Sequence, residues 1–135
     1  MSQSLTLFIP VAPSELLDKI AVLEIKSEKI TNPQKLESIN HELRLLLDIR
    51  KKHITESTEL ESLYQDLKEA NLRMWTGLDE WEAYRNTYGI DVKLAKIVDE
   101  VQRQNNAERF PVKRKIDILL GSLIREEKSY SINEK

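Results

Sequence analysis

The chain has 135 residues, 33% charged and 40% hydrophobic, a balance that fits one helical domain with a single core. Its 21 basic and 23 acidic residues leave a net charge of -2, which excludes a global field able to draw in nucleic acid or an anionic membrane. With no cysteine, disulfides, thiolate catalysis and cysteine-ligated metal or iron–sulfur centres are excluded as well.

His41 and His53 stand too far apart along the chain to form a ligand pair, so no metal and no cofactor is expected. The opening MSQSLTLFIPVAPSE lacks the basic residues and the length of a signal peptide. No apolar run approaches the ~18 residues that a membrane span requires. The expectation is a cytoplasmic protein without membrane or nucleic-acid partners.

In chain order, residues 5–11 (LTLFIPV) read as a short strand or extended arm with Leu5, Leu7 and Ile9 on one side. Pro10 and Pro13 bar helix before Ser14, which suits an N-cap with Glu15 placed well against the helix dipole. A first helix is predicted from there to about Thr31, where Asn32-Pro33 ends it and opens a second over about 33–53. Leu36, Ile39, Leu43, Leu46 and Ile49 or Arg50 give this second helix the spacing of a packed seam. A polar link at 53–57 leads to a long third helix, about 58–88, with Leu60, Leu63, Leu67, Ala70, Met74 and Trp81 nearly in heptads. Gly77 inside it marks a kink or a close helix contact. Tyr88-Gly89 is a stop signal, and Asp91 caps a fourth helix with Leu94, Ala95, Val98 and Val101 inward, ending near 104–106. Phe110-Pro111 starts a fifth, using Val112, Ile116, Leu119, Leu120 and Leu123. The predicted fold is thus all-α, a bundle of four to five helices. Residues 1–13 form a strand or arm, 14–125 the bundle domain and 126–135 a frayed tail.

The first helix, SELLDKIAVLEIKSEKI, is apolar on more than one side: Leu16, Ile20, Leu23 and Ile30 share a face, while Val22 and Ile25 lie nearly opposite. Neighbours should cover it widely. Lys19 and Lys26, seven apart, run along the edge of that core, either as stems with solvated heads or as the wall of an anion groove. Asp18 is expected to face solvent or pair with Lys29.

Two further segments carry chemistry. RFPVKRK, residues 109–115, gathers Arg109, Lys113, Arg114 and Lys115 at a helix start, where free N–H groups also favour anions, and Asn105 and Asn106 precede it. The plainer reading is a solvated basic face balanced by Glu126 and Glu127. NLRMWTGLDEWEAYR, residues 71–85, holds both tryptophans, and Trp75, Leu78 and Trp81 reach one broad side suited to core or dimer interface. No P-loop, dinucleotide fingerprint, G-x-S-x-G or H-E-x-x-H is present, and no isolated carboxylate pair suggests acid–base work. Enzymatic activity is therefore not expected.

The segment Asp18-Lys19, Leu23-Glu24-Ile25-Lys26, then Lys35-Leu36, Glu42-Leu43, Asn71 to Trp75, and Asn105-Asn106, Arg109, Lys113-Arg114, Ile116-Asp117 resembles the pattern of a family of small bacterial and phage proteins classed as a domain of unknown function. The likeness spans about residues 9–120, with Met74, Asn106 and Asp117 departing from the family's leucine, aspartate and asparagine. The resemblance implies a helical fold and a place beside surface-polysaccharide or sugar-transfer genes, with no established activity. All-helical chorismate mutases are similar in their apolar first helix, but that class needs an arginine there, and residues 14–30 offer only lysines.

Two functions remain open from the residues. One is a non-catalytic oligomeric interaction or scaffold protein, a homodimer favoured, engaging a partner protein. The other is a binding protein or enzyme for an anionic small molecule such as a sugar nucleotide. Its site would comprise Lys19, Lys26, Asn71, Trp75, Asn105, Arg109, Lys113 and Arg114.

Overall fold

The computed structural model describes residues 4–124. Its helices are α1 (Pro13–Lys29), α2 (Pro33–His53), α3 (Thr58–Tyr88), α4 (Val92–Gln104) and α5 (Phe110–Leu119), with a π-helical turn at Asn105–Arg109. The chain is all-α, and no strand occurs among the described residues. Residues 4–12 form neither helix nor strand, because the described residues offer no second strand for them to pair with. The expected tail at 126–135 lies outside the described residues.

Helix ends follow local chemistry with two exceptions. The Asn32 carboxamide oxygen accepts from the N–H groups of Gln34 and Lys35 at 3.0 and 3.1 Å, ahead of Pro33. Ser57 Oγ and Asp91 Oδ1 each accept at 3.0 Å from Leu60 and Leu94 N–H. Gly89, at φ 79°, closes α3 where a side chain would be strained. The first exception is Ser14: α1 begins at Pro13 after Ala12, and the Ser14 hydroxyl points to α5 instead of capping. The second is the expected break at 104–106. Pro111 has no N–H for a regular helical bond, and the helix passes it by widening, with Phe110 N–H donating to Asn105 C=O five residues back. The described residues therefore make four helical rods, α4 and α5 being one.

The core lies where α1, α3 and α5 meet. Leu17, Ile20, Ala21, Leu60, Tyr64, Leu67 and Ile116 form its centre, with Leu16, Leu43, Leu46 and Val112 packed around them. Each large aliphatic group buried there contributes about 1.5–3 kcal/mol, which fixes three helices on one apolar centre. Neighbours do cover α1 on several sides, and Ile25 is as buried as Leu17. The α2 seam is half-buried from Leu36 to Ile49 and rests on α1.

Helix α4 folds back along the C-terminal half of α3. A Cβ on Gly77 would stand 2.7 Å from Val101 Cγ2, so the glycine serves a close helix contact. In α4 only Leu94 is buried, with Ile97 and Val101 half-buried. Ala95 and Val98, expected inward, are exposed, since among the described residues α4 meets only α3 and the π turn and covers one narrow stripe. Leu123 is exposed too, lying beyond the end of α5.

Candidate functional site

A polar junction crosses the core between α1, α3 and α5. Asp18 is 6% exposed and accepts at Oδ1 from Asn71 Nδ2 at 2.9 Å and from Arg109 Nε at 3.0 Å. Arg109 Nη2 closes a bidentate fork on Oδ2, while Nη1 donates to Asn105 Oδ1 at 2.8 Å. Asn71 sits one turn past Leu67 on the buried face of α3 and also donates to the Leu67 carbonyl at 3.2 Å. The π turn is what brings Asn105 and Arg109 against α1.

Farther along α5 the pattern repeats. Asp117 accepts from Ser14 N–H at 2.9 Å and from the Ser14 hydroxyl at 2.7 Å, both groups buried. The buried Lys113 reaches out to Glu15 at 2.6 Å. A carboxylate in a guanidinium fork and a carboxylate on a helix-start N–H are strong, directional ties in a poorly solvated place. They set the rotation of α1 against α5.

A second cluster ties α1 to α3 on the other side. The Tyr64 hydroxyl donates to Glu24, and Lys68 Nζ stands 3.3 Å from Glu24 and 3.1 Å from Glu28. Burial, aided by Glu24, pushes the Tyr64 phenol far above its usual range, so it remains a neutral donor. Burial alone would lower the Lys68 ammonium, but its bonds to Glu28 and Glu24 outweigh this and raise it. Arg50 lies 4.7 Å over the Tyr64 ring and forks onto Glu56 at 3.1 and 2.7 Å. That hydrogen-bonded fork raises the guanidinium and lowers the Glu56 carboxyl.

Of the residues expected to bind an anion, Asn71, Asn105 and Arg109 are brought together, with Lys113 one turn beyond. Lys19 is exposed and pairs with Glu42 at 3.2 Å. Lys26 lines a separate shallow groove with Ile30, Gln34 and Lys35. Trp75 and Arg114 are half-buried. The set does not converge on one cavity, and Arg109 and Lys113 are turned onto carboxylates of α1.

Two expectations are corrected here. Asp18 is buried rather than solvated, since the helix rotation that buries Leu17 and Ala21 carries it inward. The basic cluster of α5 is not simply a solvated face, since Lys113 is 4% exposed. Ser14, Glu15, Asp18 and Asp117 belong to the junction, though the sequence pattern did not place them there. A signal existed: Ser14, Leu17, Asp18, Ala21 and Ile25 follow helical spacing and form one buried stripe.

Two larger cavities are present, the first sharing Glu15, Asp18 and Lys19 of α1 with the polar groups above. One of about 650 Å³ is bounded by Leu7, Phe8 and Ile9, by Leu16 and Val22 of α1 and by Leu46 of α2. The other, about 600 Å³, runs between α3 and α4 with Leu72, Ile97 and Val101 on its floor and Lys93, Lys96, Glu80 and Glu100 around it. Among the described residues no group of three His, Asp or Glu side chains could hold a metal ion, and no helix is long and apolar enough to cross a membrane. Comparison with family models, with curated proteins and with solved structures gave no match.

Proposed function

We propose that the protein is a non-catalytic interaction module that works as a homo-oligomer and docks other chains through apolar surface. The observation that carries this reading is the exposure of residues 5–11: Leu5, Leu7, Phe8 and Ile9 are 72–84% exposed beside an open apolar groove. Such a concentration of large side chains on one segment is characteristic of contact surface. The reading gains further support from the cations. Lys19, Arg109 and Lys113 face carboxylates, which lessens their pull on an external anion. A role beside sugar-transfer enzymes rests on the family resemblance alone.

A thermal-shift screen with nucleotide sugars and phosphorylated metabolites tests the module against the anion-binding alternative. No saturable stabilisation is expected at millimolar ligand. A saturable shift that disappears in Lys26→Ala and Lys19→Ala, both outside the buried junction, would replace this reading with the anion site.

A further inference from the structure

The segment before α1 has a composition unlike the rest of the chain. Residues 4–13, SLTLFIPVAP, contain no charge in a protein that is one-third charged. Phe8 is 84% exposed and Leu5 82%. Within the described residues, 4–11 make no backbone–backbone hydrogen bond, so their N–H and C=O groups present an unpaired edge. The segment nevertheless forms one wall of the 650 Å³ groove whose other walls are α1 and α2. An apolar groove and an unpaired apolar segment therefore lie side by side on the same chain.

We infer that the groove receives the N-terminal segment of a second copy, the two segments pairing antiparallel over about residues 5–9 across a two-fold axis. This deepens the oligomer reading above and rests on it. Three observations favour a second copy as the occupant. An isologous pair needs self-complementary surface, and each chain carries both the groove and the segment that fits it. Pairing edge to edge satisfies backbone groups on both copies at once, with Pro10 ending the ladder because it has no N–H to donate. The area is also adequate. Covering Leu5, Leu7 and Ile9 removes on the order of 400 Å² per copy before the groove walls of α1 and α2 are added, against roughly 800 Å² per partner in a standard interface. Alternation then sends Leu5, Leu7 and Ile9 to one face of the ribbon, toward the grooves, as the period of two requires.

Light scattering on the full chain across a broad concentration range reads the result. The wild type is expected at twice 15.8 kDa. Leu7→Asp/Phe8→Asp is expected at the single-chain mass with an unchanged helical spectrum, since both residues are exposed in the single chain. Because the chain lacks cysteine, Leu7→Cys, the position that faces its own copy when residues 5–9 pair antiparallel, gives a second readout. Mild oxidation should yield a covalent dimer at least tenfold faster than in the same variant carrying Phe8→Asp/Ile9→Asp. A dimer that persists in the aspartate variant, with equal cross-linking, overturns the segment exchange and leaves the oligomer reading standing. A wild type that stays at the single-chain mass at every concentration overturns both.

Discussion

Replacing Asp18 by asparagine keeps the shape of the side chain and removes its charge from the junction. The Arg109 guanidinium, 25% exposed, would then face a neutral amide where it had a bidentate carboxylate. At 3.0 Å and an effective dielectric near 20, the gross attraction of the pair is about 5 kcal/mol, and desolvation of both groups offsets much of it. The variant loses the attraction while the guanidinium stays half-buried, a loss of about 3 kcal/mol. The Asn105 side-chain oxygen Oδ1 still accepts from Arg109 at 2.8 Å, which keeps the loss at the lower end for such pairs. For a chain of this length that is a fall of about 10 °C in Tm. Urea denaturation followed by circular dichroism gives the free energy directly. A double-mutant cycle with Arg109→Gln should show a coupling of at least about 1.5 kcal/mol. A loss under about 0.5 kcal/mol in Asp18→Asn, with no coupling, would refute the claim that the junction holds α1 to the π turn.

Three further outcomes follow from the same geometry. Gly77→Ala should cost about 1–2 kcal/mol despite alanine's better helix propensity, because the new methyl meets Val101 at 2.7 Å; adding Val101→Ala should reverse the sign in the same denaturation assay. Asp117→Ala should be worse than Ser14→Ala, which costs about 1–2 kcal/mol, since it strands both the Ser14 N–H and hydroxyl where Ser14→Ala strands only the carboxylate oxygen Oδ2. The Asp91 cap gives a pH dependence: its hydrogen bond from Tyr84, followed by that from Leu94 N–H, lowers the carboxyl below its usual 3.8 and pushes the Tyr84 phenol up to about 12. Because the folded value is the lower one, the cap stabilises α4 fully above the ordinary carboxylate range and is lost as pH falls through the lowered value. Amide exchange at the start of α4 should therefore accelerate relative to α1 between about pH 4 and pH 2. Equal protection at both ends of that range would count against the cap.

Local chemistry made most of the helices legible. Asn32-Pro33, Ser57, Gly89 and Asp91 act within a few residues of themselves, so α2, α3 and the start of α4 could be read directly. The half-buried seam of α2 and the buried Leu60–Leu67–Ala70 line of α3 were legible for the same reason: an apolar period survives whatever the helix packs against. Where reading failed, the deciding partner was distant in sequence. Ser14 looks like a cap until Asp117, over a hundred residues away, claims its N–H and hydroxyl. Val98 looks inward until α4 proves to have only one neighbouring rod.

The candidate site divides the same way. Charge, the lack of cysteine and the apolar first helix with lysines at its edge are properties of the sequence by itself, as is the uncharged opening segment. That Asp18, Asn71 and Arg109 meet, and that Lys19 turns to Glu42 instead, was decided only when α1, α3 and α5 closed on one core. The physical reason is the rotation of α1. Burying Leu17, Ala21 and Ile25 together carries the intervening Asp18 inward with them, and a carboxylate there needs the guanidinium and amide that α3 and the π turn supply.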